Sequence, residues 1–85
     1  MSKAKVTVKY HGNLVSENVY DKTSAGEAKG CAEETVDDLG GDSSTGEWQE
    51  SGDTLVSTFK TNYDPETEEE IDDGGLLVVT IEEVK

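Results

Sequence analysis

Val6, Val8 and Tyr10 interleave with Lys5, Thr7 and Lys9 near the start of the chain. A period of two belongs to a strand with one buried face. His11-Gly12-Asn13 interrupts the pattern. Leu14-Val15-Ser16-Glu17-Asn18-Val19-Tyr20 then resumes strand propensity without a clear inward face, which predicts the second arm of a hairpin. The period changes after Ser24-Ala25-Gly26-Glu27, a capping box in which the serine hydroxyl accepts from the Glu27 amide and the glutamate reaches back to the serine amide. Ala28, Ala32, Thr35 or Val36, and Leu39 follow at three- and four-residue spacing, and Gly40-Gly41 supplies a stop. This predicts one helix with a narrow apolar stripe, weakened at Gly26 and Gly30 by up to about 1 kcal/mol each relative to alanine.

A polar loop is expected from Gly41 to Gly46. Glu47-Trp48-Gln49-Glu50 and Thr54 to Tyr63 flank Ser51-Gly52-Asp53, a suitable hairpin connection, with Leu55, Phe59 and Tyr63 on one face of the longer arm. Residues 64–75 carry seven acids and no base, and Pro65 opens them, so an acidic loop is predicted there with at most one helical turn near Glu68. Leu76-Leu77-Val78-Val79-Thr80-Ile81 is the strongest apolar run and predicts a strand buried on both faces, central in its sheet. The expected fold is a single α+β domain over residues 1–85, in β-β-α-β-β-β order, with one helix packed on a four- to five-stranded, mostly antiparallel sheet.

Composition makes that domain thin. Leu, Ile, Val and Phe number seventeen among 85 residues, close to the level below which a highly charged chain stays disordered. The net charge of −13 adds self-repulsion. That charge is unevenly placed: residues 1–30 hold five lysines against three acids, and residues 31–85 hold seventeen acids against two lysines. No apolar run reaches the length of a membrane span, and the opening residues lack the apolar segment of a signal peptide, so a cytoplasmic protein is expected. Anionic lipid would repel it. One cysteine, Cys31, cannot close an internal disulfide, and on this helix it reads as a packed side chain.

Chemistry is scarce. His11 is the only histidine and sits in a turn, so neither nucleophilic catalysis nor a histidine-based metal site can be assembled, and an enzyme is the least expected class. An EF-hand read from Asp42 puts Glu47 sixth and Asp53 twelfth, where glycine and glutamate are needed. Asp72-Asp73-Gly74 offers weak cation binding at most, and no cofactor is expected. Trp48 is read as core in preference to a binding hot spot, and Tyr63, beside the acidic segment, fits either role.

The acids are a different matter. Glu33 with Asp37, and Glu34 with Asp38, are like-charge pairs four residues apart near the negative end of the helix dipole, and both features are locally unfavourable. A marginal domain that keeps such choices points to binding. The expected partner-binding residues are Glu33, Glu34, Asp37 and Asp38 on the helix, and Asp64, Glu66, Glu68, Glu69, Glu70, Asp72 and Asp73 in the acidic segment. Sixteen helical residues would span about 24 Å, a length over which duplex DNA carries roughly fourteen phosphate charges. The expected partner is therefore a protein with a basic nucleic-acid-binding surface, and the expected function is inhibition by DNA mimicry, without direct nucleic-acid binding. In size and charge alone, the chain resembles small anionic proteins of viruses and mobile elements that block restriction enzymes or CRISPR effectors; no motif is shared. The competing reading is a structural or adaptor module whose acidity serves solubility in a salt-rich setting. A ubiquitin-like carrier shares the order of elements, but Glu82-Glu83-Val84-Lys85 stands where such carriers have Gly-Gly.

Overall fold

The computed structural model describes residues 3–21 and 24–84, without the side chains of Ala25, Asp72 and Asp73. Strands β1 (Lys3–Tyr10) and β2 (Asn13–Tyr20) form the first hairpin, helix α1 (Ala25–Asp38) follows, and four further strands complete the sheet: β3 (Gly41–Asp42), β4 (Gln49–Ser51), β5 (Thr54–Asp64) and β6 (Glu69–Val84). The spatial order is β2-β1-β6-β5-β3, with β4 also pairing β5, and every ladder is antiparallel. One helix on an antiparallel sheet is the α+β architecture the sequence predicts. The sheet has six strands, because the expected loop Gly41–Gly46 contains β3 and a 3-10 turn over Ser43–Thr45. The Asp42 carboxylate caps that turn, accepting from the Ser44 amide at 3.0 Å and its hydroxyl at 2.6 Å. Those bonds, the hydroxyl's first, hold the carboxyl below its ordinary pKa.

Turn chemistry sets the hairpins. His11 and Gly12 both take positive φ between Tyr10 and its partner Asn13, as two-residue loops that match strand twist require. At the helix start, the Ser24 hydroxyl accepts from the Glu27 amide at 3.2 Å, and its oxygen lies 3.3 Å from Glu27 Oε1. At the other end Gly40 takes φ +86°, and the amides of Leu39 and Gly40 close on the last carbonyls.

The core lies between α1 and one sheet face. Ala28, Ala32 and Val36 from the helix meet Ala4, Val6, Val8 and Tyr10 from β1, Leu77, Val79 and Ile81 from β6, and Leu55 and Phe59 from β5. Trp48 packs against it edge-on to Phe59, with ring centroids 5.8 Å apart. A side chain at Gly46 would overlap the Phe59 ring, so this bare backbone position is what lets the strand-to-strand connection lie flat on the core.

Two expectations are corrected. β6 is central, but only its alternate residues are buried: Leu76 is 50% and Val78 38% exposed. A single helix covers a single face, and the other face of the sheet is open. The acidic segment is a loop only over residues 65–68, since Glu69–Val84 is strand and pairs β5 through Tyr63↔Glu70 and Asp64↔Glu69. β5 therefore continues past the core and carries β6 with it as a projecting hairpin.

Candidate functional site

The helix end and the hairpin are joined by one buried threonine. Thr61 Oγ1 lies 3.2 Å from the Gly40 carbonyl and 2.9 Å from the Tyr63 carbonyl, and accepts from the Tyr63 amide at 3.1 Å. These bonds sit where the β5–β6 ladder slips: Thr61 pairs Gly75 but Tyr63 pairs Glu70, so Asn62 stands opposite Ile71 to Gly74. Such a bulge bends a hairpin and re-aims its side chains. A Cβ at Gly40 would lie 2.9 Å from Tyr63 Cβ, so the glycine also permits close approach of the helix end to the hairpin.

Between them lies a cleft of about 640 Å³ lined by Asp37, Asp38, Gly40, Asn62, Tyr63, Glu70 and Ile71. Three of the expected binding residues, two from the helix and one from the hairpin, therefore border one concavity. Tyr63 and Ile71 give it an apolar wall, and Asn62 an amide. Its chemistry suits a cationic side chain with an aliphatic stem, lysine or arginine: carboxylates for the head and a ring for the stem.

The other expected residues are placed around this cleft without lining it. Glu34 is exposed and Glu33 half-buried, on the preceding turn of α1. Asp64 closes the hairpin tip: its Oδ1 accepts from the Glu66 amide at 2.8 Å and the Thr67 amide at 3.3 Å, and its carbonyl accepts from the Glu68 amide at 2.8 Å. Glu66, Glu68 and Glu69 are exposed there. Glu68 takes φ +59°, a left-handed conformation that a non-glycine residue occupies at a cost of roughly 1–2 kcal/mol. Asp72 and Asp73 lie in the bulged stretch of β6, and their side chains are outside the described residues. Tyr10 packs over Gly75 beneath the hairpin, and its hydroxyl is pushed above its ordinary pKa by burial first, then by the Asp64 and Glu66 carboxylates.

Sequence reasoning missed Gly40, Asn62 and Ile71 as cleft residues. No local pattern marks them, since they meet only through the ladder slip. Among the described residues, no group of three or more histidines, cysteines or acids could hold a metal ion. His11 stacks edge-on to Tyr10 at 4.2 Å, and Cys31 is a half-buried free thiol. No described helix is long and apolar enough to cross a membrane. Comparison with protein-family models, curated proteins and solved structures finds no match.

Proposed function

We propose that this protein binds, through its acidic helix end and hairpin, a protein whose basic surface otherwise holds nucleic acid, and that it excludes the nucleic acid by occupying that surface. The observation that carries this reading is the convergence of Asp37, Asp38 and Glu70 on one cleft, although Asp38 and Glu70 are thirty-two residues apart in sequence. Two features add support. Glu68 keeps a glutamate at a positive-φ position where glycine would be less strained, in the most acidic part of the chain. By strand alternation, Lys3, Lys5, Lys9 and Lys60 fall on the open sheet face, away from the helix, with Glu17 and Glu82 among them.

Fourteen helical residues span about 21 Å, over which duplex DNA presents roughly twelve phosphate charges. The helix holds five acids and residues 64–73 hold seven, a number of that order. Binding of this kind is fast and salt-sensitive, because opposite charges steer the encounter. The test is capture of partners from cell lysate at low and high salt, followed by competition: duplex DNA should displace the protein from what it captures. A captured partner that holds both at once would refute the proposal. So would direct binding of DNA or RNA by this protein without a divalent cation.

A further inference from the structure

β2 closes one side of the sheet, and among the described residues β1 is its only ladder partner. Exposed edges are usually blunted by shortness, proline or charge, because their free N–H and C=O groups can accept a further strand. The opposite side is blunted in this way: β3 has two residues and β4 three, and Asp42, Glu47, Glu50 and Asp53 are exposed along it. β2 is not. It has eight residues, no proline and no lysine, and its single acid, Glu17, lies 3.4 Å from Lys5 Nζ. Leu14 and Val19 on it are each 55% exposed, more than Leu76 or Val78. Its one protective device is the ladder slip at Val15, which leaves Ser16–Tyr20 in regular register with β1.

Charge distinguishes this edge as well. β1 and β2 together hold Lys3, Lys5 and Lys9 against Glu17, with Asp21 just beyond, so this side carries little of the chain's net charge of −13. Two copies can meet here with their acidic helix ends and hairpins apart, and each Glu17 in the seam stays beside its own Lys5. We propose that β2 pairs antiparallel with β2 of a second copy about a two-fold axis, joining the two sheets into one. A strand is self-complementary under that symmetry, so a single edge serves both partners. The seam would also bring Leu14 and Val19 of the two copies together on the open face. Five strand spacings then separate one β6 from the other, about 24 Å, and the Debye length at physiological salt is about 8 Å. Repulsion between the two acidic hairpins is largely screened at that distance. Each copy keeps its acidic cleft free, so the dimer presents two.

Sedimentation equilibrium over protein concentrations from about 5 to about 500 μM tests this, with the apparent mass expected to rise about twofold from the monomer value. The Leu14→Lys, Val19→Lys double variant, which alters only exposed positions, should stay monomeric with an unchanged circular dichroism spectrum. On the unaltered chain, hydrogen exchange of the residue 13–20 amides should slow as concentration rises. A monomer throughout that range, a double variant that still dimerises, or exchange in β2 independent of concentration would each overturn the proposal. Self-association should also tighten as salt rises, whereas capture of a basic partner should loosen. The two proposals can therefore fail separately.

Discussion

Tyr10 ends β1 where the core gives way to the acidic hairpin, so it reports on both. Its folded-state pKa lies above the ordinary 10.0, chiefly through burial and then through Asp64 and Glu66. The sign follows by linkage: the folded protein holds this proton more tightly than the unfolded chain. The associated stability is therefore fully present below pH 10 and is lost as pH rises through the folded pKa. Ultraviolet titration should show a late-ionising component from Tyr10, absent in Tyr10→Phe and moved back toward 10 in the Asp64→Asn, Glu66→Gln variant. An unchanged late component in that double variant would place the hairpin carboxylates away from the ring. Gly46 makes a second residue-scale case, because a methyl there meets the fully buried Phe59 ring. Gly46→Ala should destabilise by about 1–3 kcal/mol, the usual range for overpacking, measured by urea denaturation. A neutral result would mean that the connection can lift off the core.

At the scale of elements, α1 combines a good start with a poor finish. Ser24→Ala removes the cap and should cost about 0.5–2 kcal/mol. Asp37→Asn with Asp38→Asn relieves two like-charge pairs and the clash with the dipole, and should stabilise by about 0.3–1 kcal/mol per site. Thermal melts of the two variants should move in opposite directions; a downward shift for both would mean that the helix acids are structural. This helix was legible because its start, its stripe and its stop are local signals: Ser24 and Glu27, then Ala28, Ala32 and Val36, then Gly40. The β1–β2 and β4–β5 hairpins were legible from His11-Gly12 and Gly52-Asp53 for the same reason. Glu69 to Gly75 was not. Its acids have low strand propensity, and it becomes strand only because β5 continues beside it, a tertiary effect that outweighs propensity. Exposure of Leu76 and Val78 was hidden too, since a continuous apolar run does not reveal how many of its faces will be covered. For the candidate site, the acids were visible, but the cleft was not, because it depends on the slip between Thr61 and Tyr63.

For the whole molecule the governing quantity is −13 net charge on a core in which twelve apolar residues are buried among the described residues. Self-repulsion of that size opposes compaction, and salt shortens its reach from about 30 Å at 0.01 M to about 10 Å at 0.1 M. The melting temperature should therefore rise as NaCl increases over that range, at a protein concentration low enough to keep the chain monomeric. A flat or falling trend would show that repulsion does not limit stability. Placement of charge is the larger consequence: four lysines lie on the open sheet face beside Glu17 and Glu82, while Asp37, Asp38 and Glu70 border one cleft. The most direct test of the central claim compares two variants of equal net charge against the captured basic partner. One neutralises the cleft (Asp37→Asn, Asp38→Asn, Glu70→Gln) and the other neutralises acids elsewhere (Glu50→Gln, Asp53→Asn, Glu82→Gln). The account predicts that the cleft variant associates more slowly, with a flatter dependence on salt, and fails to displace DNA, while the other variant stays close to the unaltered protein. Equal loss in both variants would contradict it, because bulk charge and not the cleft would then be what the partner recognises.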